Sequence, residues 1–376
     1  MHGLNLTWLP SEIGLCVDLE VLDIRDNCLT FLPPELSQCL KLKTLLFSGN
    51  NIEYKTQMQA LIELRKYNQA SAQSPQMKWT TTASSISIIS WNITAQQYAI
   101  PSNFPKCPSR YLKWEHRAQS FLNNITNLKP SLLCVQDIEE EQLSFISDQM
   151  RTIGYGYVSS FANRPRKYGA PRTGVATFYL KSRAVIENNV SVSFSDLPEN
   201  ENISKLQLIS NDDVFQISYI RYQTKSYILV NAGLHNCKYE PEVLLSQVYM
   251  IAEHIDSLQS QVIFCGSLGF EPNSDEDILL KHGKDPNNKF TLKRTYRNAY
   301  DEHYGDVEFT KWDNEEFAVN DYIFITNMLS PIGHLTLPSK DEALKYHYTA
   351  PNAQWPSCHM PIGAVIETRA FPNENN

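Results

Sequence analysis

The sequence predicts an α/β sandwich of roughly 290 residues standing behind a short leucine-rich repeat stub. Three observations predict it. Residues near the N-terminus repeat with a register of 23; a polar stretch without periodicity comes next; and beyond that, nearly continuous apolar strands are interleaved with amphipathic helices. Several of those strands succeed one another with no helix between them, which requires two mixed sheets covered on both sides.

The repeat comes first along the chain. Laying LEVLDIRDNCLTFLPPEL, from Leu19, over LKTLLFSGNNI, from Leu42, superimposes Leu22 on Leu45 and Asn27 on Asn50, while Leu6, Leu9 and Pro10 fall on Leu29, Leu32 and Pro33. This is leucine-rich repeat spacing, in which leucines fill a solenoid core and the Asn side chain satisfies backbone groups at the turn after each short strand. About two repeats do not bury a continuous core, since solenoids need at least three. The expectation is either a chain truncated at its N-terminus or a stub that leans on the domain behind it. The segment TQMQALIELRKY reads as a capping helix with Met58, Leu61, Ile62 and Leu64 on its apolar side, and NQASAQSPQMKWTTTASS as a linker. The resulting division is a repeat stub over 1–67, a linker over 68–84 and the sandwich over 85–372.

Within the sandwich the elements alternate. SISIISWN is a strand, WEHRAQSFLNNITNL a helix, SLLCVQ a strand and EEEQLSFISDQMRTI a helix; TGVATFYLK, DVFQISYIR and SYILVNA are strands. PEVLLSQVYMIAEHIDSL is a helix, QVIFCG a strand, and DYIFIT and AVIETR close the series.

Composition narrows the function. With 376 residues, 42% hydrophobic and 20% charged, the chain is globular, and a net charge of −8 argues against gripping nucleic acid by bulk charge. No run approaches the ~18 apolar residues of a membrane span, and MHGLNLTWLP lacks the basic-then-apolar layout of a signal peptide. No membrane is therefore expected, and the default address is cytoplasm or nucleus. The eight cysteines include no CxxC pair and are expected to be reduced. Two basic stretches stand out. One carries Arg164, Arg166, Lys167 and Arg172; the other carries Lys281, Lys284, Lys289, Lys293, Arg294 and Arg297 with Phe290 and Tyr296 interleaved. They read as solvated loops or as contacts to an RNA backbone beside a cleft.

The segments CPSRYLKWEHR (Cys107 to Arg117), SWNI before it and LLCVQD after it, with the later CGSLG, NDYIFI and PSCH, resemble the endonuclease/exonuclease/phosphatase superfamily and, within it, the carbon catabolite repressor type of deadenylase. A leucine-rich repeat joined to such a domain is the layout of that deadenylase. The resemblance implies a four-layer α/β sandwich, removal of mRNA poly(A) tails from the 3′ end with Mg²⁺ and an activated water, and a repeat module that docks a ribonuclease-D-like deadenylase subunit, itself bound to a Not-type scaffold.

Carried over residue by residue, the resemblance places Asn92 where an Asn orients metal and phosphate, and Asp137 where a Glu binds the metal, one methylene shorter. Asp321 and His359 occupy a carboxylate–imidazole pair. Four positions depart from the pattern. Gly233 stands in place of a phosphate-contacting His, with His235 two residues on as a possible substitute; Ser267 and Gly269 stand in place of the Asp and Asn of a GDxN motif; and Cys358 stands in place of a metal-serving Asp. By looser alignment Pro241 falls near an adenine and Phe317 supplies a stacking aromatic. Cys237 and Cys358, with His235 and His359, have the ligand types of a zinc site, without a spacing that supports one.

A serine hydroxyl is neither a base nor charged at pH 7, and an unperturbed thiol, mostly protonated and soft, is a poor partner for Mg²⁺. The sequence therefore points to a deadenylase-like subunit with an impaired site, acting as scaffold or RNA-binding surface, Mg²⁺ held weakly if at all. The alternatives are an active Mg²⁺-dependent 3′–5′ poly(A) exoribonuclease and a protein-interaction module without RNA contact.

Overall fold

A computed structural model describes the chain apart from Trp8, Phe31, 53–58, 61–76, 82–84, 163–168, 198–213, 235–240, Gln259, 301–306, 314–315, 347–348, Ala353 and 369–376. Most of the capping helix and part of the linker lie outside the described residues.

The N-terminal unit contains two short parallel strands, β1 (Val21–Asp23) and β2 (Thr44–Leu46), with Leu22 opposite Leu45. Its core includes Leu9, Leu22, Ile24, Leu29, Leu32 and Leu45. Asn27 and Asn50 do equivalent work one register apart. Asn27 Oδ1 accepts from the backbone N–H of Leu6, and Asn50 Oδ1 from that of Leu29, both at 3.0 Å.

The larger unit is a sandwich of two six-stranded sheets. Its strands are β3 (Ile86–Asn92), β4 (Leu132–Glu139), β5 (Tyr155–Phe161), β6 (Thr173–Leu180), β7 (Ala184–Ser193), β8 (Val214–Tyr222), β9 (Lys225–Gly233), β10 (Val262–Ser267), β11 (Arg297–Asn298), the hairpin β12 (Lys311–Asp313) and β13 (Glu316–Ala318), β14 (Asp321–Ile325), β15 (Leu329–His334) and β16 (Ile362–Thr368). The first sheet runs β15-β16-β3-β4-β6-β5 and the second β11-β14-β10-β9-β8-β7. Ile88, Cys134, Leu229, Ile263, Ile323 and Ala364 pack between them.

Helices α1 (Ser109–Leu112), α2 (Trp114–Leu128) and α3 (Glu140–Thr152) flank strands of the first sheet in the chain, and the apolar faces of α2 and α3, among them Phe121, Ile125 and Ile146, bury against Trp91 and Val135. Helices α4 (Pro241–Asp256) and α5 (Asp275–His282) cover the second sheet through Val248, Ile251 and Leu279 against Val230 and Phe264. A short α6 (Lys340–Tyr346) precedes β16. The order helix, sheet, sheet, helix is the four-layer α/β sandwich expected of the resemblance. No helix among the described residues is long and apolar enough to cross a membrane.

One boundary differs from the expectation. Lys78, Trp79 and Thr80 fall in the stretch assigned to the linker, yet they belong to the sandwich: Thr80 N–H donates to His334 O at 2.9 Å, and Trp79 Nε1–H donates to Leu128 O at 2.8 Å. The linker composition there, polar on either side of one Trp, hid an edge pairing.

Candidate functional site

Strands β3 and β4 run parallel with the end of β3, Asn92, opposite Gln136, so Asn92 and the Gln136–Asp137 step arrive at the same rim. Between Gln136 and Ile138 the β4 ladder carries a bulge, and Asp137 adopts φ 51. Asp tolerates this left-handed geometry better than most residues, and a bulge re-aims the side chain it carries. The Asp137 carboxylate accepts from Asn92 Nδ2 at 2.8 Å. The other end of the Asn92 amide accepts from Thr94 N–H at 2.9 Å, and the Asn92 carbonyl accepts from Ser357 Oγ at 2.6 Å.

The segment leading into β16 brings His359 to the same rim from the other side. Its Nδ1 lies 2.8 Å from Asp321 Oδ2, and Asp321 also accepts from Thr310 Oγ1 at 2.7 Å. The His359 carbonyl accepts from Trp91 Nε1 at 3.0 Å. Burial works against a charged imidazole, but the facing Asp321 carboxylate prevails and holds the His359 pKa above its ordinary value.

The altered positions lie beside this pair. Across parallel β9 and β10, Gly233 is opposite Ser267, and across antiparallel β10 and β14, Ser267 is opposite Asp321. A Cβ at Gly233 would stand 3.3 Å from Gln136 Cβ, so the direction an imidazole would take is occupied by Gln136. Gln136 is itself tied to Asn231 Oδ1 at 2.8 Å in a buried network between the sheets. Gly269 has φ 77 and donates to Asn320 O. The Cys358 thiol lies 3.2 Å from Thr94 Oγ1 and packs with Phe104, Cys107, Tyr111 and Leu112.

The donor set does not fit Mg²⁺, which asks for near-octahedral oxygen ligands. Asp137 is already held by Asn92, and positions 233, 267, 269 and 358 offer hydrogen, hydroxyl, hydrogen and thiol. Among the described residues no group of three or more His, Cys, Asp or Glu is placed to hold a metal ion. The cavity beside Asp321, lined by Lys281, Asn298, Tyr300 and Thr310, is about 60 Å³, far too small for a nucleotide.

Other expectations fare differently. His235 and Cys237 lie outside the described residues, as does the Pro241 side chain, although Pro241 itself begins α4. Phe317 has other groups against it: its ring lies 5.6 Å from Trp312 at an interplanar angle of 10°, and the Lys340 ammonium stands 5.5 Å from it. The second basic stretch is not an aromatic-studded track either. Phe290 and Tyr296 are core residues, Lys281 and Lys289 pair with Asp277 and Glu242, and Arg294 donates to the carbonyls of Ser260 and Leu258. Of the first stretch, Arg164, Arg166 and Lys167 lie outside the described residues and Arg172 pairs with Glu140.

Sequence reasoning gave no role to Arg117, which is 0% exposed. Its Nη1 donates to the carbonyls of Ile93 at 2.7 Å, Thr94 at 2.9 Å and Pro356 at 3.2 Å. It thereby clamps together the two segments that carry Asn92 and His359. Desolvation pushes its pKa down to about 10, so it stays charged at neutral pH. The signal was available: Arg117 sits on the same helical stripe as Phe121, Ile125 and Leu128, where a charge needs a reason. Thr310 and Lys311 were missed as well, and nothing in their local sequence marks them.

No family model matches the sequence. Carbon catabolite repressor protein 4 homolog 4 of Arabidopsis thaliana is 20% identical over 337 residues, covering 75% of this chain and 77% of that protein. The probable CCR4-Not complex 3′-5′-exoribonuclease subunit Ccr4 of Enterocytozoon bieneusi is 25% identical over 315 residues, covering 74% of this chain and 63% of that protein, so the match spans less than two thirds of it. Among solved structures, ANGEL2, a 2′,3′-cyclic phosphatase, in complex with adenosine-2′,3′-vanadate superposes with a TM-score of 0.68 at 17% identity, over 79% of this chain and 100% of its own. An endonuclease/exonuclease/phosphatase from Bacteroides vulgatus superposes with a TM-score of 0.57 at 14% identity, over 76% and 99%. The chain has the endonuclease/exonuclease/phosphatase fold, and its sequence relatives include proteins of the carbon catabolite repressor type.

Proposed function

We propose that this chain is a deadenylase-like subunit of an mRNA poly(A)-shortening complex whose sandwich no longer hydrolyses RNA and serves as a scaffold or RNA-binding surface. Similarity to a protein described as a CCR4-Not exoribonuclease subunit supports the setting. One observation carries the loss of hydrolysis: Gly233 and Ser267 stand side by side where the reaction needs a phosphate donor and a base. Loss of one such group costs on the order of 10²–10⁴ in rate.

The N-terminal unit, read as leucine-rich repeats, docks a ribonuclease-D-like deadenylase subunit that in turn binds a Not-type scaffold, in the cytoplasm or nucleus. Leu22→Asp with Leu45→Asp, which puts carboxylates into that unit's core, should abolish co-purification of the partner. Association left intact would remove the docking role.

The second reading, an active Mg²⁺-dependent 3′–5′ poly(A) exoribonuclease, is favoured by the Asn92–Asp137 and Asp321–His359 pairs. A time course with 5′-labelled A-tract RNA and saturating Mg²⁺ decides between them, with Asp137→Ala as control. No shortening, with the RNA retarded on a gel, is the expected outcome. Shortening that disappears in the variant would restore the enzyme, and neither shortening nor retardation would leave a protein-interaction module without RNA contact.

A further inference from the structure

The strands of the second sheet have two ends, and the rim described above uses one of them. There β9, β10 and β14 bring Gly233, Ser267 and Asp321 together. Their opposite ends lie roughly 20 Å away at the ~3.3 Å rise of each strand residue. At that end Ser226, Gln261 and Thr326 line a second cavity, of about 520 Å³, whose remaining walls are Ser260, Arg294, Asn327 and Met328. Backbone bonds hold the strand ends in place: Ile228 N–H donates to Gln261 O at 2.9 Å, Thr326 N–H to Val262 O at 3.1 Å, and Val262 N–H to Thr326 Oγ1 at 3.1 Å.

Arg294 is the one charged residue in this lining. Its Nη1 and Nη2 donate to Ser260 O at 3.0 Å and Leu258 O at 3.2 Å. Two neutral carbonyls orient the guanidinium without cancelling its charge, and they engage two of its five N–H groups. The Asp256 carboxylate stands 4.0 Å from its Nε, outside hydrogen-bond range, and accepts instead from Lys293 N–H at 2.8 Å and from the Tyr296 hydroxyl at 3.3 Å. The Arg294 side chain remains 24% exposed, so an oriented cation with spare donors faces the cavity. Beside it stand the hydroxyls of Ser226 and Ser260 and the amide of Asn327, none of them hydrogen-bonded through its side chain among the described residues.

The lining selects a ligand class. A guanidinium without a carboxylate in the wall favours an anion over an amine or a divalent cation. Hydroxyls and amides suit a hydroxyl-bearing body, and the absence of an aromatic ring from the lining leaves a nucleobase nothing to stack on. The volume lies within the roughly 300–1,000 Å³ of small-molecule sites and exceeds what a bare phosphate ion fills. We propose that this cavity is a binding site for a phosphorylated sugar, with Arg294 on the phosphate and Ser226, Ser260 and Asn327 on the hydroxyls. The site is separate from the rim, and it stands whether or not the rim hydrolyses RNA.

The test is isothermal titration calorimetry of the full chain with glucose 6-phosphate, glucose, inorganic phosphate and adenosine 5′-monophosphate as probes. Glucose 6-phosphate should bind with a Kd of about 1 mM or tighter, and each of the other three about 10-fold more weakly. Arg294→Met should weaken it about 10-fold, as expected for a charge-assisted contact. Because Arg294 also holds its own turn, Ser226→Trp provides a second variant that fills the cavity from an exposed position and should abolish binding. Ser267→Asp, at the far end of β10, should leave the Kd unchanged. Circular dichroism melting reports whether each variant is folded. No heat with glucose 6-phosphate, glucose binding as tightly as its phosphate, or adenosine 5′-monophosphate binding more tightly than either would overturn the proposal. So would binding that survives Ser226→Trp or is lost in Ser267→Asp, since it would then belong to the rim.

Discussion

On the side of the site built by β3, β4 and the segment entering β16, several residues tie one segment to another. Asn92 fixes the Thr94 turn and, through its carbonyl, Ser357; His359 and Asp321 join that segment to β14 and Thr310. On the side built by β9 and β10 the rim residues hold nothing with their side chains. Gly233 has none, Gly269 has none, and the bonds made by that stretch are backbone bonds, such as Leu234 N–H to Ser267 O. The two sides therefore differ in what substitution costs. A group that does chemistry only can be replaced without unfolding anything, whereas one that also ties loops together is kept for stability. Side chains that tie segments together, such as Asn92, Asp321 and His359, are thus weak evidence for hydrolysis by themselves.

The largest effect expected from this contrast is at the buried pair. Removing either partner strands the other, and His359→Ala should cost about 3–5 kcal/mol in urea unfolding. The pH dependence has a definite sign. Because the folded-state pKa of His359 is raised, its contribution is fully present below the unfolded value of about 6.5 and is lost as pH rises through the folded one. Wild-type stability relative to His359→Gln should therefore shrink from pH 6.5 upward toward pH 10. A difference between the two that is flat or growing over this range would show that the pair does not hold the proton.

A middle-sized effect is expected at Asn92. Its amide serves Asp137 at one end and Thr94 at the other, so Asn92→Ala takes a hydrogen bond from the buried Thr94 N–H and one from Asp137. The cost should be about 1–3 kcal/mol, read as a shift of the urea midpoint at constant slope. A loss below about 0.5 kcal/mol would place Asn92 with the chemistry-only residues and erase the contrast.

The same contrast explains what was legible in the sequence. Central strands such as β3, β4, β9 and β10 are buried on both faces and read as apolar runs, and α2 was bounded correctly from its pattern. The strands that were missed are edges. β7 carries Glu187, Asn188 and Asn189; β15 carries Pro331 and Gly333 around a bulge; and β5 ends the first sheet. An edge has one neighbour and a wet side, so its composition loses the apolar signature. At the site, the residues that match a motif by type were legible, including the Asp321–His359 contact. Arg117, Thr310 and Lys311 were not named, because their importance comes from which segments meet in space. Phe317 shows the same limit: that Trp312 lies against its ring is not written in its local sequence.

The smallest effect is expected at Ser267, and it sharpens the comparison most. The Ser267 backbone sits between Gly233 and Asp321 in a complete ladder, while the residue is 5% exposed at the rim. Ser267→Ala removes a hydroxyl without touching the ladder and should change stability by no more than about 0.5 kcal/mol. Ser267→Asp is the more telling substitution. It restores the carboxylate type but sets it directly across from Asp321, and like charges opposed in an antiparallel pair repel. On its own it should destabilise the protein slightly and bring no deadenylation. If Ser267→Asp alone restored Mg²⁺-dependent shortening of the RNA, then Asn92, Asp137 and His359 would still form a working half-site, and the first side would have been kept for chemistry after all.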